Sequence, residues 1–229
     1  MAAVPAARIL SAPTFVVRRR RGTVGELHAA LPSAPPHPEL WRMAPTASAV
    51  VLGSSQPDEL IDFEAAQQQG VSVVQRHSGG GAVLVDPATT AWFDAIIPAD
   101  APGWSHDIHR PMRWLGERLA AAFRQVDPGL AAQVQHEVVD TPWSRLLCFD
   151  GLGVGELTVD GHKLVGMSQR RTREYARVQC SWYQRNEQSR LVGLLSPEHR
   201  PPIDALAPVA TLPATELDDV LDALAPLLV

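Results

Sequence analysis

Leu157-Thr-Val-Asp-Gly-His-Lys-Leu-Val-Gly-Met-Ser-Gln-Arg170 is the stretch that decides the fold. Its two halves read as strands, residues 156–159 and 163–167, on either side of Asp160-Gly161. Asp-Gly tolerates the positive φ angles of a two-residue hairpin turn, so the two strands should run antiparallel. Working outward, residues 134–139, 146–149 and 177–183 carry further strand-like apolar runs. Upstream, Ala49-Val-Val-Leu52 stops at Gly53 as a short buried strand does. Pro57-Asp58 opens a helix expected over residues 59–69 and closed by Gly70, and residues 71–75, 82–85 and 91–97 read as strands. Ile108, Met112, Leu115, Leu119 and Phe123 recur at helical spacing within residues 107–126, with Pro111 suited to the first turn. Residues 187–195 and 216–228 also read as helices. Runs of strands broken by a few helices predict an α+β fold, a mixed and largely antiparallel sheet flanked by helices, and not a doubly wound parallel sheet.

The chain has 229 residues, 45% of them apolar and 20% charged, enough for one ample core. The first 45 residues are rich in proline and alanine and are expected to form a surface arm of loops and short turns around a helix near residues 25–31. Residues 46–229 are then expected to form a single domain. A formal charge of -5 gives no overall attraction to nucleic acid or to an anionic membrane, so neither is an expected partner. Two cysteines are too few for a disulfide framework. No apolar run reaches the length of a membrane span, and the N-terminal charges do not follow the order of a signal peptide. These features predict a cytoplasmic protein, and a monomer is the simplest expectation.

Arg76-His-Ser-Gly-Gly-Gly-Ala-Val83 sits between two expected strands. Three successive glycines leave backbone N–H groups unshielded, so a phosphate or carboxylate can approach closely. Arg76 would add a forked cationic donor and Ser78 a hydroxyl, although a glycine run can also be a plain mobile loop. Gly151-Leu-Gly-Val-Gly155 has the wrong spacing for a dinucleotide fingerprint, and His136-Glu-Val-Val-Asp140 lacks the second histidine of a zinc-protease motif, so no metal is expected.

The segment Gln75-Arg-His-Ser-Gly-Gly-Gly-Ala-Val-Leu-Val-Asp86 resembles the arginine-arginine-x-serine-triple-glycine signature of lipoate-protein ligases, in the biotin/lipoate protein ligase catalytic-domain family. Leu157 to Arg170 resembles the family's second signature, a lysine on a strand after a glycine turn. The resemblance runs over residues 49–195. It implies that Lys163 holds the acyl carbonyl or an adenylate phosphate, and that Gly79, Gly80, Gly81, Ala82, Gly166 and Ser168 line the same pocket with Arg76 and Ser78. A hydrophobic floor there would take an eight-carbon chain.

Some residues depart from the ligase pattern. Gln75 replaces the first arginine, Leu84-Val85 replaces a tyrosine-histidine pair, and Gly155-Glu156 replaces an asparagine-aspartate pair. Cys148-Phe149, with Glu156 eight residues on and Lys163 fifteen residues on, resembles instead the cysteine-dependent octanoyltransferases. That likeness implies a route in which Cys148 takes octanoyl from an acyl carrier protein as a thioester and passes it to a lysine of a lipoyl domain protein, with no cofactor. The ligase likeness implies ATP and lipoate with Cys148 as a bystander, and a non-catalytic acyl- or carrier-binding module is the third reading. Cysteine is also a common buried residue, so an inert Cys148 stays open. Gln169-Arg-Arg-Thr-Arg173 and Arg177 form a basic cluster suited to steering an acidic carrier.

Overall fold

The computed structural model describes residues 15–213 and 215–229. Two sheets face each other, with helices outside both. The larger has seven strands in the order β1 (Val16–Gly22), β2 (Glu39–Pro45), β6 (Thr90–Pro98), β10 (Tyr175–Tyr183), β9 (His162–Arg171), β8 (Leu157–Val159) and β7 (Gln133–Val134). Only β1 and β2 pair in parallel there; the other neighbours are antiparallel. The smaller sheet has β3 (Ala49–Leu52) at its centre, parallel to β4 (Ser72–Gln75) and antiparallel to β5 (Val83–Val85). This is the mixed α+β architecture expected from the hairpin, whose turn residues Asp160 and Gly161 take φ of 50° and 78°.

Strand alternation puts different chemistry on the two faces of the large sheet. Phe93, Ala95 and Ile97 of β6 and Val178, Cys180 and Trp182 of β10 join the core under α3 (His109–Val126) and α5 (Leu217–Leu224). The opposite face carries Trp92, Asp94 and Ile96 of β6 and Arg177, Gln179 and Tyr183 of β10, and it meets Val83 and Val85 of the small sheet. Beyond the small sheet, α2 (Phe63–Gln68) and α4 (Gln188–Gly193) close a third cluster.

Several local expectations are corrected. Residues 16–22 and 39–45, read as surface loops, are strands, because their pairing partners lie in the main sheet and not nearby in sequence. Between them α1 (Val24–Ala29) begins at a capping box, with Thr23 and Glu26 satisfying each other's backbone N–H groups. The expected helix over 59–69 begins only at Phe63, where Asp62 caps it, and residues 58–60 form a separate 3-10 turn. Residues 146–149 form a turn, and of 134–139 only the first residue belongs to a strand. Residues 1–14 of the expected arm lie outside the described residues.

Candidate active site

The site lies between the sheets, where the glycine loop after β4 meets the turn that carries Cys148. Each glycine of the loop has its own reason. Gly80 has φ of 99°. A Cβ on Gly81 would stand 2.6 Å from the Leu147 carbonyl carbon and 2.8 Å from the Cys148 nitrogen, so its bare Cα is what lets the two segments touch. There Ala82 N–H donates to Leu146 O (2.8 Å) and Cys148 N–H donates to Ala82 O (2.9 Å). Gly79 has open space around it. Among the described residues, the N–H groups of Gly79, Gly80 and Gly81 have no protein acceptor, as an anion cradle requires.

Arg76 and Ser78 are turned inward. The buried Arg76 guanidinium donates to the carbonyls of Gly79 (2.7 Å), Gly81 (2.9 Å) and Val51 (3.3 Å), so it fixes the loop's shape in place of offering an outward fork. Burial pulls its pKa down and the Cys148 sulfur opposes that pull, which puts the two groups within electrostatic reach. Ser78 Oγ hydrogen-bonds with Ser168 Oγ (3.0 Å) and Gln179 Oε1 (3.1 Å). Ala82 belongs to the core under the small sheet and lines neither cavity described below.

Lys163, on β9, is buried. Its Nζ lies 2.7 Å from Glu156 Oε2 and donates to the Cys148 carbonyl oxygen at 2.7 Å. Glu156 in turn accepts from the N–H groups of Gly153 (2.6 Å) and Met167 (2.9 Å). This satisfies the buried carboxylate and holds the amine beside the cysteine turn.

Cys148 stands where two cavities join. On one side is an apolar slot walled by Val83, Val85, Trp92, Gly166 and Met167, narrow at about 40 Å³ of free space. On the other is a polar cleft of about 300 Å³ lined by Gly79, Gly80, Gly81, Glu156 and Lys163. Arg76, Cys148, Met167 and Ser168 border both. Met167, an unbranched side chain with several rotatable bonds, is the wall best able to yield to a longer occupant.

His28, Trp92 and Gln179 of the slot were not foreseen from sequence. His28 stacks on Trp92 at 4.6 Å, and its Nδ1 accepts from Gln179 Nε2 at 3.0 Å, which leaves the ring proton on Nε2. Burial, with Arg177, Arg76 and His77 nearby, takes the His28 pKa down to about 3, so the ring is neutral at pH 7. Arg177, expected in the surface cluster, is fully buried: it pairs with Asp94 at 2.6 Å and donates to the carbonyls of Leu27, His28 and Ala30. It therefore pins the end of α1 and presents His28 to the slot. Isolated polar residues on a short helix and a strand carry no local motif, so sequence offered no signal for them.

The sequence pattern of the lipoyl protein ligase A/B catalytic domain matches residues 26–226, and the chain belongs to that family. Among curated relatives, octanoyltransferase LipM of Kyrpidia tusciae is 32% identical over 117 residues, 49% of this chain and 42% of that protein. LipM of Bacillus subtilis is 30% identical over 118 residues, 48% of this chain and 41% of that protein. The matches thus span about two-fifths of those relatives' length. A bipartite lipoate protein ligase from Thermoplasma acidophilum, described with its E2 lipoyl domain, superposes with a TM-score of 0.69 at 17% identity, over 94% of this chain and 82% of that one. Lipoate-protein ligase A in a crystal structure with bound ATP gives 0.65 at 18%, over 94% and 83%. At such identities these structures share the fold.

Proposed function

We propose that this chain transfers an octanoyl (or lipoyl) group to a lysine of a lipoyl carrier domain, taking it from an acyl carrier thioester through a thioester on Cys148. The observation that carries this reading is the position of Cys148 at the seam of an apolar slot and a polar cleft, with the Lys163 amine bonded to its own carbonyl. An acyl chain in the slot brings its carbonyl carbon to the sulfur. Sulfur attacks, the carrier thiolate leaves and takes the thiol proton, and the acyl group rests on Cys148. The carbonyl oxygen, negative during attack, is met by the Lys163 ammonium or by the unpaired N–H groups of the glycine loop. In the second half the acceptor lysine amine attacks that thioester, an amide forms, and the amine's proton returns to the cysteine sulfur. Both halves exchange one acyl bond for another, so neither consumes ATP.

A lipoyl adenylate route, using ATP and lipoate, is the second reading, favoured by the free N–H groups of residues 79–81. Donor supply weighs against it. The cleft's cations are Arg76, Arg145 and Lys163, of which Arg76 has donors taken up by loop carbonyls and Lys163 is paired with Glu156, while Asp140 is an anion there. A triphosphate would meet few free cationic N–H donors.

Intact mass spectrometry after incubation with octanoyl acyl carrier protein tests the proposal. The expected result is one octanoyl adduct, labile to thiols, transferable to a lipoyl domain and lost in Cys148→Ala. Pyrophosphate release dependent on lipoate and ATP, unaffected by Cys148→Ala, would select the adenylate route. Silence in both assays with carrier binding retained would make the chain a binding module.

A further inference from the structure

We infer that a groove outside the cleft receives the phosphopantetheine arm of a protein-borne acyl donor. This inference rests on the transfer reading above and adds the route by which the donor reaches Cys148. The groove, of about 390 Å³, runs between the start of α3, the loop at residues 136–140 and β9, lined by Ile108, Met112, Val138, Val154, Met167 and Arg171. It adjoins the polar cleft at Val138, Gly153 and Met167, which border both, and Met167 also borders the slot. Three compartments therefore adjoin one another: an apolar slot, a chamber whose wall carries Cys148, Glu156 and Lys163, and an apolar groove with a guanidinium in its wall.

An acyl thioester on a phosphopantetheine arm has the same order of parts. Its apolar chain suits the slot, its thioester the chamber, its branched amide-linked arm the groove, and its phosphodiester the cation. Arg171 is held in position by stacking on Trp104 at 4.3 Å and by donating to the carbonyls of Ser105 and Asp107, and a guanidinium keeps further N–H donors for phosphate. Nearby in sequence, Asp107 pairs with Arg113 at 3.6 Å, and Asp140 lines the neighbouring cleft.

The rim identifies the donor as a carrier protein and not a free thioester. Eight large apolar side chains are exposed among the described residues, and Ile108, Val138 and Val139 stand together at this mouth. A small soluble thioester threading the groove leaves them in water, whereas a docked protein domain covers them.

Titration of the full chain with an acyl carrier protein, in holo form with a free arm thiol and in apo form without the arm, tests this. Holo carrier is expected to bind at least tenfold more tightly than apo carrier. Arg171→Gln should bring holo affinity to the apo level without moving apo affinity. Val138→Asp and Ile108→Asp, both at exposed positions that leave the core intact, should weaken holo and apo carrier alike. Equal affinity of the two forms, or holo affinity untouched by these substitutions, overturns the inference, as does coenzyme A competing as strongly as the holo carrier. Holo carrier bound at the groove while octanoyl carrier protein leaves Cys148 unacylated would defeat the transfer reading and leave this one standing. An acylated Cys148 with affinities unmoved by the substitutions would do the reverse.

Discussion

Lys163 Nζ bonds to the backbone carbonyl oxygen of Cys148, at 2.7 Å, and not to a side-chain atom of that residue. Any residue at position 148 offers the same carbonyl. The amine's placement is therefore independent of the sulfur, and the two contributions separate by substitution.

Cys148→Ala should fold as the parent does, with a stability change within about 1 kcal/mol, since a partly exposed thiol is all that is removed. The acyl adduct should vanish. A melting curve beside intact mass spectrometry checks both, and an adduct surviving the substitution would place the nucleophile elsewhere.

Lys163→Ala should be far more disruptive. It strands the Glu156 carboxylate, 4% exposed, without its counter-ion, a change that typically costs about 3–5 kcal/mol. The double variant Lys163→Met with Glu156→Gln, which removes the stranded charge and keeps an oxygen for one of the Gly153 and Met167 N–H groups, should recover part of that loss in chemical denaturation and still form product slowly or not at all. Recovery of activity together with stability would show that Lys163 serves the fold alone.

The three loop glycines should respond unequally. Gly81→Ala pushes a Cβ into the backbone of residues 147–148, so about 1–3 kcal/mol of stability and at least tenfold of adduct formation should be lost. Gly79→Ala meets open space and should shift stability by less than about 0.5 kcal/mol. Denaturation midpoints and adduct rates on the two variants compare them directly.

His28 should make the fold sensitive to acid. Its folded pKa of about 3 lies below the ordinary histidine value of 6.5, so between these values the unfolded chain binds the extra proton. The resulting stabilisation is fully present above pH 6.5 and is lost as pH falls towards about 3, by at most about 1.4 kcal/mol per pH unit. His28→Gln should flatten the stability profile across this window. A profile of unchanged slope would mean that the ring protonates freely in the folded state.

What the sequence determined by itself was the set of elements whose signal is local. The Asp160-Gly161 hairpin, the apolar runs of β6 and β10 and the helical spacing along α3 depend on side chains a few positions apart, so they were legible in the sequence. The order of glycine loop, cysteine and lysine came instead from the likeness to family signatures. Tertiary structure alone decided that Val16–Gly22 and Glu39–Pro45 enter the main sheet, that Cys148 rides a turn at the joint of two cavities, and that Arg76, Ser78 and Arg177 point inward. The reason is the cost of burying polar groups, which compels each to find a partner wherever the fold supplies one. For Gln179 and His28 that partner is 151 residues away, and for Ser78 and Gln179 it is 101, distances over which no sequence period carries information.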